Sequence, residues 1–442
     1  MSEGKIRVLV VSYLPWRNDV SVGNTLSNIF DGMQDKIEFS NIYFKGGTPL
    51  NNVAQNYYYI PEKELAKSIL TRKSVGKKIS LDNVSENHVT EKKGAYNKAR
   101  QLRWELFLLA QDMIGILGKW HSKELDLFVE EIQPQLIFGP LGRVPASNIL
   151  MSYLHDKYSI PVIAYAWDDH YSLHKQAVSP FFWGKTFLER KYIRKCAQRS
   201  EVLYTITEEM KKEYSQYFNK KCKVLYKAYD FNDAPEIKSK VEYPLTIIYM
   251  GNIGAGRWKE LEKVAQAIKS INKNKKKCFL KIHTMSPHTD KIEKALNIDG
   301  ASALLKPVLT ADVLRTMRTA DILLHVEPTG KKERNFFRLS FSTKIVDYLY
   351  NARCIVAVVG HTAAMSYLEK NNAAIVIEDE NKIQEELEKL VDNPNKIEEY
   401  AYKSWECGRR NHQKNTIQDM IYSDFMQAVC KETYSRGNNE NR

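Results

Sequence analysis

A chain of 442 residues is longer than one ordinary hydrophobic core organises, so two domains of about 200 residues are expected. Hydrophobic residues at 43% and charged residues at 27% exclude a disordered chain, and no stretch reaches the roughly 20 apolar residues of a membrane span. A formal charge of +13 points to an anionic partner such as a nucleoside diphosphate or an anionic lipid surface; without zinc-finger spacing or an RNA-binding signature, nucleic acid is not expected.

The chain opens on a buried-strand run, residues 5–12 (KIRVLVVS), with no cleavage-site pattern. A loop through Gly23 and Asn24 follows, and a helical pattern begins near Thr25 with Leu26, Ile29, Phe30 and Met33 on one face. Residues 45–100 are polar, with basic pairs and a tyrosine run at 57–59, and read as an insertion. From 99 to 132 the pattern predicts one long helix, apolar around Trp104, Phe107, Leu108 and Met113. Basic residues beside that stripe suit an amphipathic helix at a membrane surface, although apolar residues nearly all round the helix fit core packing better.

Strand and helix then alternate: strands at 135–140, 161–167, 201–207 and 222–230, with helices between. Residues 231–243 lack apolar periodicity and mark the domain boundary. The second half restarts at strand 245–250, glycine loop 251–256 and a helix from Lys259, followed by strands at 278–284, 322–326, 354–360 and 373–378. The fold class expected is α/β, with two Rossmann-like doubly wound domains facing across a cleft. Their bounds are 1–232 and 243–415, with a C-terminal helix, 416–442, packing back on the first domain. The six scattered cysteines show no metal-ligand spacing and suit reduced thiols in the cytoplasm.

Two stretches of the second half carry candidate chemistry. In Gly251-Asn252-Ile253-Gly254-Ala255-Gly256-Arg257-Trp258-Lys259, glycines let amides approach a phosphate, Arg257 grips oxygens bidentately and Lys259 adds a compact charge. The GxxGxG spacing is not that of a nicotinamide site, and a ligand-free tight turn is the alternative. In the second stretch Ser342 and Thr343 have the look of an N-cap, Lys344 stands at the same helix end, and Asp347 lies one turn on as an acceptor for ribose hydroxyls. An ordinary capped helix with a surface Lys-Asp pair is the alternative. In the first half Asp168, Asp169 and His170 end a strand; one of them is placed to orient or deprotonate an acceptor hydroxyl, unless the aspartates merely cap a helix start.

Three segments of the second half, LTIIYMGNIGAGRWKELEKVAQAI, ALLKPVLTADVLRTMRTADILLHVEP and FSTKIVDYLYNARCIVAVVG, resemble the nucleotide-sugar domain of glycosyltransferase family 4 and its relatives of the GT-B fold. With VLYTITEEMKKEYSQYFNKKCKVLYKAYD, the resemblance covers about the last 240 residues in order, plus the opening strand and loop. It implies a glycosyltransferase of the bacterial polysaccharide-building type, retaining the configuration of a hexose-type sugar. The donor is UDP- or GDP-linked and the acceptor is a glycan, a lipid-linked species or another hydroxyl. Arg257 and Lys259 are then expected at the donor diphosphate, with Gly254 and Gly256 in their loop, and with Ser342, Thr343 and Lys344. The resemblance also puts Asp347 at the ribose, Lys306 and the residues to 309 at the base, and Gly23 and Asn24 on a flexible loop near the phosphate. No metal is expected, since Arg257 and Lys344 can neutralise a diphosphate, and no cofactor besides the donor itself. The enzyme is expected to work in the cytoplasm, with a peripheral contact at the inner face of the membrane.

The sequence departs from the family pattern where Leu339 stands in place of the first glutamate and Asn351-Ala352-Arg353 replaces the usual turn. Glu327, Glu333 and Arg338 are candidate substitutes. Two other readings stay open: a catalytically silent subunit supporting a partner transferase, and a nucleotide-sugar 2-epimerase.

Overall fold

The computed structural model describes residues 4–19, 21–80, 105–175, 177–233, 236–238 and 241–440, in two compact units. The first comprises Met1–Leu225 and Ile417–Arg442, and the second Tyr226–Thr416.

Strands of the first unit are β1 (Ile6–Ser12), β2 (Ile37–Tyr43), β3 (Ala54–Tyr59), β4 (Lys77–Ile79), β5 (Leu136–Pro140), β6 (Val162–Ala166), β7 (Ser200–Thr205) and β8 (Cys222–Val224). Among the described residues they form one sheet in the order β4-β3-β2-β1-β5-β6-β7-β8, parallel except where β4 pairs antiparallel with β3. The apolar run of β1 follows from its central place: it lies between β2, with Ile6 opposite Ile37, and β5, with Val8 opposite Leu136. Helices cover the sheet, and the helix Lys414–Glu440 sets Phe425 against the rings of Phe30 and Phe138 at 6.2 and 5.9 Å. Asp424 on the same helix accepts the Tyr204 hydroxyl at 2.6 Å.

Two expectations are corrected. The tyrosine run lies within the sheet: Tyr57 and Tyr58 are fully buried in β3, and Tyr58 shares a 2.9 Å hydrogen bond with Ser122. Only part of the supposed insertion, 81–100, lies outside the described residues. The long helix expected over 99–132 is two helices, Glu105–Leu117 and Lys123–Ile132, with 99–104 undescribed. Gly118 ends the first against Leu65, where a side chain has no room, and Ser122 caps the second by accepting the Leu125 amide at 3.0 Å. Trp120 is buried between them. Among the described residues no helix is long and apolar enough to cross a membrane.

The second unit carries β9 (Leu245–Met250), β10 (Cys278–His283), β11 (Ser302–Leu305), β12 (Ile322–Val326), β13 (Cys354–Val358) and β14 (Ile375–Ile377). All pair in parallel, in the order β11-β10-β9-β12-β13-β14. Its core packs Ile247, Leu280 and Val356 of the sheet with Leu261, Val264 and Ile268 of the helix Arg257–Ile271. Connections run outward on one side from β9 and on the other from β12, so the two strands flank a topological switch point. Beyond their carboxyl ends lies the crevice where open α/β sheets bind ligands. In the first sheet the same point falls between β1 and β5.

Candidate functional site

In the second unit the glycine loop leaves β9 and turns directly into the helix Arg257–Ile271. Gly256 stands at its start with φ +84°, and Ala255 before it has φ +52°. The loop closes much of its own hydrogen bonding: Asn252 Oδ1 takes the Gly254 amide at 2.6 Å, and loop carbonyls take those of Arg257, Trp258 and Lys259. The amides of Ala255 and Gly256 have no protein acceptor among the described residues. An open glycine cradle is therefore narrowed to two amides at the helix start.

Lys344 fills the space beside the loop. A Cβ on Gly251 would collide with its Nζ, and Nζ sits 5.4 Å from the centre of the Tyr249 ring. Burial and then the charge of Arg257 lower its ammonium to about 8. Among the described residues Lys344 has no hydrogen-bond or ion-pair partner, and neither has the hydroxyl of Ser342 or Thr343. The two hydroxyls do not cap the helix Lys344–Tyr350; instead the turn continues back to them, with the Ile345 amide on the Ser342 carbonyl at 2.9 Å.

Arg257 reaches across the switch point to Glu327, the residue that follows β12, at 3.3 Å, and lies 4.4 Å from the Phe337 ring. His325 approaches the other oxygen of Glu327 at 3.1 Å. Burial works to raise the Glu327 carboxyl, but the His325 hydrogen bond and the Arg257 charge outweigh it and hold the carboxyl below its ordinary range. A Cβ at Gly360, φ +99°, would strike the Glu327 side chain, so glycine is required where β13 turns away.

Most of the remaining residues lie apart from this place, and Asp347, whose charge still acts on the Lys344 ammonium, is engaged elsewhere. Lys259 is exposed, and Lys306 is exposed with its carbonyl engaged by His283 Nδ1 at 3.0 Å. Asp347 is buried in an ion pair with Lys227 at 2.5 Å and takes the Tyr229 hydroxyl at 2.7 Å on the same oxygen, so it serves an internal anchor. This is no surface Lys-Asp pair, because its partner is 120 residues away in sequence. Leu339 is buried, and the carbonyl of Arg338 accepts the Ala363 amide. Glu333 packs against Gly330 in the loop following β12.

In the first unit Gly23 and Asn24 lie in the first turn of the helix Ser21–Phe30, not on a loop. Gly23 leaves room for the backbone of Arg17, and Asn24 donates to the Asn18 carbonyl at 2.9 Å. The three polar residues after β6 part company. Asp168 is exposed, whereas Asp169 is buried and accepts the amides of Tyr171 and Ser172 at 3.2 and 3.0 Å and the Tyr214 hydroxyl at 3.2 Å. Asp169 thus fixes a loop and not a helix start, the next helix being Pro180–Arg199. His170 is held neutral, its ring pushed down to about 3 by burial and then by Arg143 and Lys175.

Sequence reasoning missed a pocket of about 490 Å³ beyond β1, β2 and β5, at the switch point of the first sheet. Its polar lining includes Tyr13, Glu62, Gln111, Asp112, Arg143 and Lys185, and apolar side chains such as Leu108 and Ile114 complete it. The Tyr13 hydroxyl donates to Glu62 at 2.6 Å, and Gln111 donates to both. Asp112 lies 3.5 Å from Lys185 and is raised to about 7, with burial the largest cause and Lys185 opposing it. Arg143 has no hydrogen-bond or ion-pair partner among the described residues. The signal that marks this pocket in the sequence is Gln111-Asp112 inside an otherwise apolar helix.

No family model matches the chain, and no curated protein matches it. Solved structures do. The Anabaena protein HepE, crystallised with UDP, superposes with a TM-score of 0.60 at 12% identity, over 96% of this chain and 100% of that one. An α,α-trehalose 6-phosphate synthase from Burkholderia multivorans gives 0.58 at 10% identity, over 98% and 99%. WaaG, a glycosyltransferase involved in lipopolysaccharide biosynthesis, gives 0.58 at 10% identity, over 95% and 99%. At such identities the likeness is one of fold, and the chain has the GT-B fold these proteins share.

Proposed function

We propose that the chain is a glycosyltransferase that moves a hexose-type sugar from a nucleoside-diphosphate donor, UDP- or GDP-linked, to a hydroxyl of a glycan or lipid-linked acceptor. The observation that carries this reading is Lys344, a half-buried ammonium at the switch point of the second sheet that has no hydrogen-bond or ion-pair partner among the described residues. A cation costs free energy there unless an anion joins it. Arg257 acts on the same ammonium through its charge. The amides of Ala255 and Gly256 beside it in the loop and the hydroxyls of Ser342 and Thr343 beside Lys344 in sequence lack partners among the described residues, a donor set suited to diphosphate oxygens. HepE, which has been solved with UDP and with UDP-glucose, supports a UDP donor.

In this mechanism the work is electrostatic. As the glycosidic bond to the diphosphate breaks, negative charge grows on the leaving oxygens, and Lys344 and Arg257 stabilise it without reorganising. Glu327 holds Arg257 in position and balances one of the two positive charges. No metal is required by this arrangement. The pocket of the first unit takes the acceptor, where Asp112, titrating near 7, holds or releases a proton at working pH. Retention of configuration is part of the proposal.

A second reading keeps an observation of its own. Where the resemblance expects two carboxylates, one position is the buried Leu339 and the other, Asp347, is tied to Lys227. That arrangement favours a silent subunit which binds donor and supports a partner. The test is incubation with UDP- and GDP-linked hexoses and candidate glycan acceptors, following nucleoside diphosphate release and the anomeric signal of the product by NMR. Release that depends on acceptor supports transfer. Binding with neither release nor change in the donor favours the silent subunit, and an epimerised sugar still bonded to its nucleotide, formed without acceptor and without net release, favours the epimerase.

A further inference from the structure

The pocket of the first unit adjoins cations that the fold leaves without partners. It lies beyond β5, where the turn 142–144 leads into the helix Pro145–Tyr158. Asn148 holds that turn by donating to the carbonyls of Gly142 and Val144 at 2.7 and 3.3 Å. Pro145 and Ala146 line the pocket. Pro145 has no amide to offer, and those of Ala146 and Ser147 have no acceptor among the described residues, so the positive end of this helix is unmet. Arg143, in the same turn, is exposed and also without a partner among the described residues. Lys175, between β6 and the helix Pro180–Arg199, is half-buried, and its ammonium has no hydrogen-bond or ion-pair partner among the described residues. The charges of Arg143 and Lys175 both act on the neutral ring of His170. A Cβ on Gly142 would lie 3.8 Å from that ring, so the ring adjoins the turn that carries Arg143.

The carboxylates near these cations are engaged elsewhere or half protonated. Glu189 pairs with Lys185, Glu62 accepts from Tyr13 and Gln111, and Asp169 accepts from its own loop and from Tyr214. Asp112 is 9% exposed and titrates near 7, and its Oδ2, 3.5 Å from the Lys185 ammonium, takes no hydrogen bond among the described residues. Arg143 and Lys175 thus stand uncompensated, and a half-buried cation costs free energy until an anion joins it. A phosphate group offers three oxygens and up to two charges to a guanidinium, an ammonium and two amides. A carboxylate, with two oxygens and one charge, leaves part of that set unmet. We propose that the pocket takes a phosphate-bearing acceptor: the phosphate binds Arg143 and the amides of Ala146 and Ser147, Lys175 adds its charge, and a hydroxyl of the same molecule meets Asp112. This names the substrate class of the acceptor site and rests on the reading of that pocket given above.

The test is calorimetric titration of inorganic phosphate, glycerol 3-phosphate and glycerol into the full chain carrying Lys344→Met, which removes the ammonium of the diphosphate site. Wild type with UDP present serves as a second background. Phosphate and glycerol 3-phosphate are expected to bind at one site in both, and glycerol to show no binding. Adding Arg143→Met lowers the phosphate affinity about tenfold, and Arg143→Met with Lys175→Met abolishes it. Lys123→Met, at an exposed cation of the same unit that does not line the pocket, changes nothing. These side chains have no partners among the described residues, and an unchanged melting temperature verifies the fold of each variant. The proposal is overturned if neither phosphate compound binds, or if the double variant binds them as its parent does. Transfer assays keep it distinct from the reading it rests on. Phosphate binding lost in Arg143→Met, with no nucleoside diphosphate release for any acceptor, upholds the phosphate site and sinks the transfer reading. Release with neutral glycans that Arg143→Met leaves unchanged, without phosphate binding, sinks this proposal and upholds transfer.

Discussion

The carboxylate of Asp347 lies 2.5 Å from the ammonium of Lys227, both buried, and this pair ties the helix Lys344–Tyr350 to the segment that follows β8. The Tyr229 hydroxyl donates to the same oxygen, and its ring stacks on Tyr350 at 4.4 Å. Asp347→Ala leaves a buried lysine unpaired and is expected to cost about 3–5 kcal/mol, read from chemical denaturation. The double change Lys227→Met with Asp347→Leu is expected to recover most of it, since apolar side chains of similar volume replace such pairs well. Recovery in the double variant separates a structural anchor from a ligand-binding carboxylate.

Gly251 and Lys344 predict a steric result. A methyl group at 251 occupies the place of the ammonium and displaces it from the loop. Gly251→Ala is expected to weaken nucleoside diphosphate binding tenfold or more, in calorimetric titration, together with a lower melting temperature because Gly251 has φ +157°. The size follows from the loss of one charged contact, about 1.5–3 kcal/mol.

The ammonium of Lys344 also predicts a pH dependence. Its folded-state value, about 8, is below that of an unfolded lysine, so the folded protein loses this proton first as pH rises. The burial penalty is fully present below about 8 and is relieved above it, which adds stability as pH climbs toward the ordinary lysine range. Diphosphate affinity runs the other way: it is full below about 8 and declines above. Titrations of wild type across that window are expected to show the decline, and Lys344→Met is expected to flatten it.

Asp112 carries the opposite sign. Its carboxyl is raised to about 7, so its contribution to stability is present below the ordinary aspartate range and is lost as pH rises through about 7. Asp112→Asn is expected to remove that loss and to raise the melting temperature above pH 7 relative to wild type. A melting series of both proteins against pH checks it.

The parallel strands were legible because a strand buried on both faces is a continuous apolar run, as in β1 and β12. β3 was not, because AQNYYY carries polar atoms that only the folded sheet satisfies: Tyr57 donates to the Ala54 carbonyl and Tyr58 meets Ser122. The break after Gly118 was missed for a like reason. Glycine and the capping Ser122 were in view, but an apolar stripe on either side masked them. At the site, Gly251, Arg257 and Lys344 carry a local signal, since loop glycines and nearby cations are written in short segments. Partners remote in sequence carry none: Lys227, which claims Asp347, emerged only from the fold, and so did the pairing of Glu327, a candidate already in the sequence, with Arg257. The pocket around Asp112 was hidden for the same reason, because Glu62, Arg143 and Lys185 come from three separate segments.

The most direct measurement of the central claim is calorimetric titration of UDP and GDP into wild type and Lys344→Met at neutral pH. The account predicts that one nucleotide binds wild type at a single site and that the variant loses at least tenfold in affinity with its fold intact. Equal affinity in the two proteins, or no binding of either nucleotide to wild type, would contradict it.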